Sequence, residues 1–210
     1  ATDAASTSHG NAFEATVAAA QEQRSAITGT AALIQARSEA KRASADLKTR
    51  IDAIASAMTS EEAGDIDTKK KALDEALKGD SVDRIHTALT DYTSAVEAAE
   101  VAVALQHRLG HVVVDSPEEI AYAAEAVRHL RAEGIYGPDE RAGLMVRLTT
   151  GIHAGGHEFI STAHEDQKFG LSIHTGAARA AIDAIIAAPE LELRGLHSHI
   201  GSQILDLAGF

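Results

Sequence analysis

The chain has 210 residues, with 31 acidic against 19 basic for a net charge of −12, and an ordinary globular balance of 45% hydrophobic and 24% charged residues. Such acidity argues against a generic nucleic-acid binder or a binder of anionic membranes. The lack of Cys excludes disulfide frameworks, Cys-ligated zinc, iron–sulfur clusters and thiol nucleophiles.

Residues 1–10 show neither the basic stretch nor the apolar core of a secretory leader, so none is expected. No apolar run reaches the ~18 residues of a membrane span. Composition breaks near residue 106. All three Pro, 12 of the 16 Gly and nine of the 11 His follow that point. Two segments are therefore expected: an α-helical segment over 1–106 and an α/β segment over 107–210.

Residues 11–105 are Ala-rich and poor in helix breakers. Val82, Ile85, Leu89, Tyr92, Val96, Ala99 and Val103 follow a 3-4 spacing, which predicts one apolar face of a helix. Leu47, Ile51, Ile54 and Met58 repeat the pattern upstream, and Phe13, Val17 and Ala20 echo it. Breaks are expected at Thr59–Asp67 and at Lys78-Gly79-Asp80-Ser81, where Gly79 suits a helix end and Asp80 or Ser81 a helix start. The predicted product is a set of antiparallel helices.

Beyond residue 107 the period changes. His111–Asp115 is a short β-branched run, and Ser116-Pro117-Glu118-Glu119 reads as a helix start with Gly134 as its stop. Leu144–Thr149 predicts a second strand, Thr150 to about Gln167 a polar loop, Leu171–Ala188 a helix, and Leu191–His199 a third strand. This order implies parallel strands with crossover helices. A βα unit takes ~30 residues and a closed (β/α)8 barrel ~250, so the segment suffices for three or four units of a partial (β/α)8 (TIM-type) barrel.

The candidate chemistry lies at the end of the third strand. Period two puts Leu191, Leu193, Gly195, His197 and His199 on one face. Both imidazoles then sit at the C-terminal end, where parallel α/β folds bind ligands. Gly201-Ser202 adds a tight turn with free N–H groups and a hydroxyl, suited to a phosphate. Taken alone, His197 and His199 with His153, His157 and His164 also fit a zinc site. The carboxylate pairs Glu61/Glu62 and Glu118/Glu119 read as helix-start charges, Asp115 as a cap of the next helix, and Lys69-Lys70-Lys71 as a solvated helix face.

GHVVVDSPEEI (110–120), VRLTTGI (146–152), HEFISTAHEDQKFGLS (157–172) and LRGLHSHIGSQILDLAGF (193–210) closely resemble the diaminopimelate decarboxylases, in their actinobacterial form. The resemblance covers about residues 107–210. It implies pyridoxal 5′-phosphate on an alanine-racemase-like barrel, decarboxylation of meso-2,6-diaminopimelate to L-lysine and CO2, a small amino-acid substrate, a homodimer and a cytoplasmic location. It makes His199 the residue stacked on the pyridine ring, Ser202 a phosphate ligand, Gly201 the residue that allows close approach, and His197 a support. Lys168 becomes structural or interfacial, no metal is implied, and HIGSQ accounts for both His of the strand.

The family's Ala-x-Lys-Ala-Asn-type motif with its Schiff-base Lys, its Gly-rich phosphate loop and the Glu that pairs with the pyridine nitrogen have no counterpart in these residues. No catalytic residue is therefore assigned, and the chain alone is expected to be inactive. The alternatives are a non-catalytic helical partner-binding module and a truncated or chimeric fragment without activity of its own.

Overall fold

A computed structural model describes the backbone of residues 2–150 and 170–199, and side chains from residue 21 onward. The elements are α1 (Thr2–Ile54), α2 (Ser60–Ala76), α3 (Val82–Gln106), β1 (Val112–Val114), α4 (Pro117–Ala132), β2 (Ala142–Thr149), β3 (Leu171–Ser172), α5 (Ala177–Ala187) and β4 (Leu191–Ser198). Two compact units result. One holds residues 1–55 and 59–96, the other residues 56–58 and 97–210. The division falls inside α3, upstream of the composition break at residue 106.

In the helical unit the predicted stripe is largely buried: Ile85 and Val96 are fully enclosed, and Tyr92 and Leu47 nearly so. Leu73 and Ala40 are fully buried as well. The break expected over Thr59–Asp67 lies earlier, over residues 55–59, and takes Met58 out of the helical stripe expected of it. Thr59 caps α2 with a full capping box, its side chain accepting from the Glu62 N–H while Glu62 accepts from the Thr59 N–H, so helix resumes at Ser60. Arg37 donates to the Gly79 carbonyl at 2.7 Å and ties α1 to the turn after α2. The three lysines pair with Asp91, Asp74 and Asp67 on the surface, the solvated face that the sequence predicts.

In the α/β unit all strand pairings are parallel. β1 and β4 flank β2 on opposite edges, and β3 pairs with the last two residues of β2 on the β1 side. Val114, Leu144, Val146 and Leu191 pack against Val127 of α4, Ile185 of α5 and Leu105 at the end of α3 in one core. Helix α4 begins as predicted. Pro117 is its first residue, Ser116 is the N-cap accepting from the Glu119 N–H, and Gly134 follows its C-cap with φ +74°. The expected helix over 171–188 is shorter. Its first residues form β3, and Ser172 accepts from the Thr175 N–H to make a turn before α5 starts at Ala177.

Glu119 carries a pH dependence. Burial pushes its carboxyl above the ordinary 4.5, against the pull of the Asp115 N–H that it accepts at 2.7 Å. The folded state thus keeps this proton to higher pH than the unfolded chain, and the associated stability is lost as pH rises through the folded value. Glu119→Gln is expected to remove this fall. Urea midpoints of the two chains between about pH 4 and 7 should diverge in favour of the glutamine variant, and a constant difference would refute the assignment.

Candidate functional site

The site forms where β1, β2 and β4 end. The single-face reading of the third strand is corrected here. The register of β4 on β2 shifts between Leu144 and Met145, so Arg194 is an extra residue on β4. Before the bulge, Leu191 and Leu193 pair with Ala142 and Leu144 on the helix-covered face. After it, Gly195 and His197 pair with Met145 and Arg147 on the opposite face. One inserted residue thus turns His197 away from the core that Leu191 and Leu193 serve. Gly143 makes room for the bulge: a Cβ there would lie 2.8 Å from Arg194 Cγ and 2.9 Å from the Gly110 carbonyl.

On that face the guanidinium of Arg147 meets the carboxylate of Asp115 at 3.4 Å, joining the ends of β1 and β2. Both side chains are largely covered, at 22% and 35% exposed. Asp115 is therefore not the cap of α4. Ser116 takes that role, and the Asp115 carboxylate turns to the neighbouring strand. Two polar atoms at these strand ends, Thr150 Oγ1 and His197 Nδ1, are buried with no hydrogen-bond partner among the described residues. His199, one residue past β4, is exposed. Thr149 is 2% exposed and is overlain by Gly170, which has φ +87°.

The structure thus brings His197 to the end of the sheet beside Arg147, with His199 just beyond. Gly201, Ser202, Lys168, His153, His157 and His164 lie outside the described residues. Among the described residues no group of His, Asp or Glu is arranged to hold a metal ion, and no helix is long and apolar enough to cross a membrane. Arg147, Asp115 and Thr150 are the members that sequence reasoning did not select. Their only signal is that each falls at or just past the end of a predicted strand.

The arrangement offers a guanidinium held by a carboxylate, a buried hydroxyl and two imidazoles, all at the C-terminal ends of parallel strands. It is a parallel α/β sheet with polar side chains gathered at the C-terminal ends of its strands, the end at which such folds bind ligands. The chain belongs to the pyridoxal-dependent decarboxylases, through their pyridoxal binding domain, whose family model matches residues 80–210.

Among curated relatives, the diaminopimelate decarboxylase of Mycobacterium bovis is 50% identical over 116 residues, 53% of this chain and 23% of that protein. The diaminopimelate decarboxylase of Corynebacterium efficiens is 42% identical over 123 residues, 58% of this chain and 25% of that protein. The chain thus spans about a quarter of the length of these relatives. A solved diaminopimelate decarboxylase from Helicobacter pylori, complexed with L-lysine, aligns at 24% identity and a TM-score of 0.46, covering 59% of this chain and 32% of that one.

The residues present fit the family's cofactor. A buried hydroxyl and a buried imidazole nitrogen without partners cost free energy, roughly 1–3 kcal/mol each, unless a ligand completes them. A phosphorylated pyridine offers hydrogen-bonding oxygens for such atoms and a flat face for an imidazole.

Proposed function

We propose that this chain supplies the pyridoxal phosphate-holding strands of a diaminopimelate decarboxylase, the enzyme that releases CO2 from meso-2,6-diaminopimelate and leaves L-lysine. The observation that carries the proposal is the match of residues 80–210 to a pyridoxal binding domain. The 50% identity to a diaminopimelate decarboxylase narrows the class to that activity. The parallel strands β1, β2 and β4, with α4 and α5 on one face, are read as consecutive units of a partial (β/α)8 barrel. The homodimer, the small amino-acid substrate and the cytoplasmic location belong to the same reading.

When bound, pyridoxal phosphate supplies the electron sink that accepts the charge left at Cα as CO2 departs. The chain's own residues hold and orient. By the family resemblance, His199 would stack on the pyridine ring, Ser202 would bind the phosphate with Gly201 allowing its close approach, and His197 would serve as a support. Arg147, pinned by Asp115, keeps a fixed positive charge at the strand ends without spending side-chain entropy at the moment of binding. Lys168 is the one lysine after residue 78 and is assigned no covalent role. The lysine, the Gly-rich phosphate loop and the carboxylate for the ring nitrogen must come from sequence other than these residues.

Titration of pyridoxal phosphate into the chain, followed by equilibrium dialysis, tests the reading. Saturable binding is expected. His199→Ala should weaken it about tenfold, the ~1.4 kcal/mol expected of a lost aromatic stack. Lys168→Ala should leave it unchanged, and no CO2 should be released from meso-diaminopimelate. Binding that ignores His199 but needs Lys168 would overturn the assignment of roles.

A further inference from the structure

Strand β1 is three residues long and pairs with β2 over Val112–Val114. Asp115 is the next residue, so the carboxylate that meets Arg147 is aimed from a point just past the ladder. Two bonds from the first turn of α4 hold that point. The Glu119 carboxyl reaches back and accepts from the Asp115 N–H at 2.7 Å, and the Glu119 N–H donates to Ser116 Oγ at 3.2 Å. Strand end and helix start are thereby clasped from both sides.

The clasp differs from the capping box of α2. There Glu62 is exposed and accepts from the N–H of the N-cap residue itself, Thr59. In α4 the N-cap is Ser116, yet the Glu119 carboxyl makes its 2.7 Å bond one residue further back, at Asp115, and is half-buried there. Burying a carboxyl costs free energy that starting a helix does not require, as Glu62 shows. The far end of the relay is anchored independently: Arg147 lies in β2, where it pairs with His197 of β4. A small shift of the Asp115 backbone would therefore change the 3.4 Å contact with Arg147 and leave the β2–β4 ladder in place.

We propose that Glu119 is a positioning residue for the cofactor site: its carboxyl fixes the Asp115 backbone, and through Asp115 it fixes the direction of the Arg147 guanidinium. The inference rests on the reading that pyridoxal phosphate binds at these strand ends. Glu119 is assigned no contact with the cofactor. Its role depends on an acceptor oxygen and not on its charge, because a carboxylate, a carboxylic acid and a glutamine amide each present one.

The relay is tested first without cofactor. 15N relaxation of the Arg147 Nε–H group, identified by its loss in Arg147→Lys, is expected to report an ordered guanidinium in the unaltered chain and in Glu119→Gln, and a mobile one in Glu119→Ala. Pyridoxal phosphate is then titrated where circular dichroism shows every variant folded. Glu119→Ala should bind about fivefold more weakly, the cost of ordering one long side chain on binding, and Glu119→Gln should keep most of the affinity. Glu118→Ala removes the neighbouring, exposed helix-start charge and should move neither readout. In an Asp115→Ala background Glu119→Ala should weaken binding no further. A residue that only capped α4 would change stability and leave the Arg147 signal and the affinity alone. An ordered Arg147 in Glu119→Ala, or additive losses in the double variant, overturns the inference. If the unaltered chain binds no pyridoxal phosphate, it is the cofactor reading that fails, and the relaxation result still decides whether Glu119 holds Arg147.

Discussion

Leu144→Ala is expected to be among the most destabilising single truncations in the α/β unit, at about 2–5 kcal/mol. Leu144 is fully buried at the centre of β2, where it pairs with Val112 on one edge and Leu193 on the other. Its side chain lies between the sheet and the core that includes Val127 and Ile185. Truncation removes several methyl groups' worth of burial and leaves a cavity that neighbours held in ladders on both sides cannot close. Because a domain's whole stability is roughly 5–15 kcal/mol, one such cavity consumes a large share. Ile186→Ala, one position past the buried Ile185 but 63% exposed, should change stability by no more than about 0.5 kcal/mol. The chain has no Trp, so unfolding is best followed by circular dichroism, with the Tyr122 and Tyr136 signals reporting the α/β unit. A urea midpoint that Leu144→Ala leaves in place would show that β2 is not the centre of the core.

What sequence made legible here is what depends on neighbours in the chain. Ser116 and Pro117 fix the start of α4, Gly134 its end, and the spacing of Ile85, Tyr92 and Val96 one buried face, because capping and helical period act over a few residues. The capping box of Thr59 and Glu62 follows the same rule: Glu61 and Glu62 read as helix-start charges, although the expected break runs on to Asp67. The bulge at Arg194 was not legible at all. It depends on how β4 lies on β2, some 50 residues away, and on the space Gly143 leaves for the inserted side chain. The same holds for Asp115. Locally it looks like a cap, and only the adjacency of β1 and β2 hands it to Arg147 instead. The part of the candidate site carried by resemblance, His199 with Gly201 and Ser202, is therefore the part that position along one strand could indicate. The part contributed by strand pairing appears only in the fold.

Gly170→Ala is expected to combine two costs that other positions separate. Gly170 has φ +87°, a conformation that costs an L-residue about 1–2 kcal/mol. A Cβ there would also lie 2.9 Å from Thr149 Oγ1 and 3.3 Å from the Arg147 carbonyl, against the end of β2. Overpacking of this kind adds typically 1–3 kcal/mol. Gly134 supplies the control. It too has positive φ, at +74°, yet a Cβ there meets nothing within 4 Å. Gly134→Ala should therefore show the conformational cost alone, and the difference between the two variants the crowding alone. Thr149→Ala removes the hydroxyl that the new methyl would strike, so Gly170→Ala should cost less in that background, a coupling that a double-mutant cycle reads directly. The consequence reaches the site. Gly170 leads into β3, whose two residues pair with Leu148 and Thr149 beside the Arg147–Asp115 pair. A shift of the β2 end by a few tenths of an ångström would move Thr150 and Arg147 relative to His197. Pyridoxal phosphate affinity should fall in Gly170→Ala and stay unchanged in Gly134→Ala, whose turn lies at the far end of α4. Equal losses in the two variants, whether of stability or of affinity, would mean that backbone conformation alone sets the requirement for glycine at position 170.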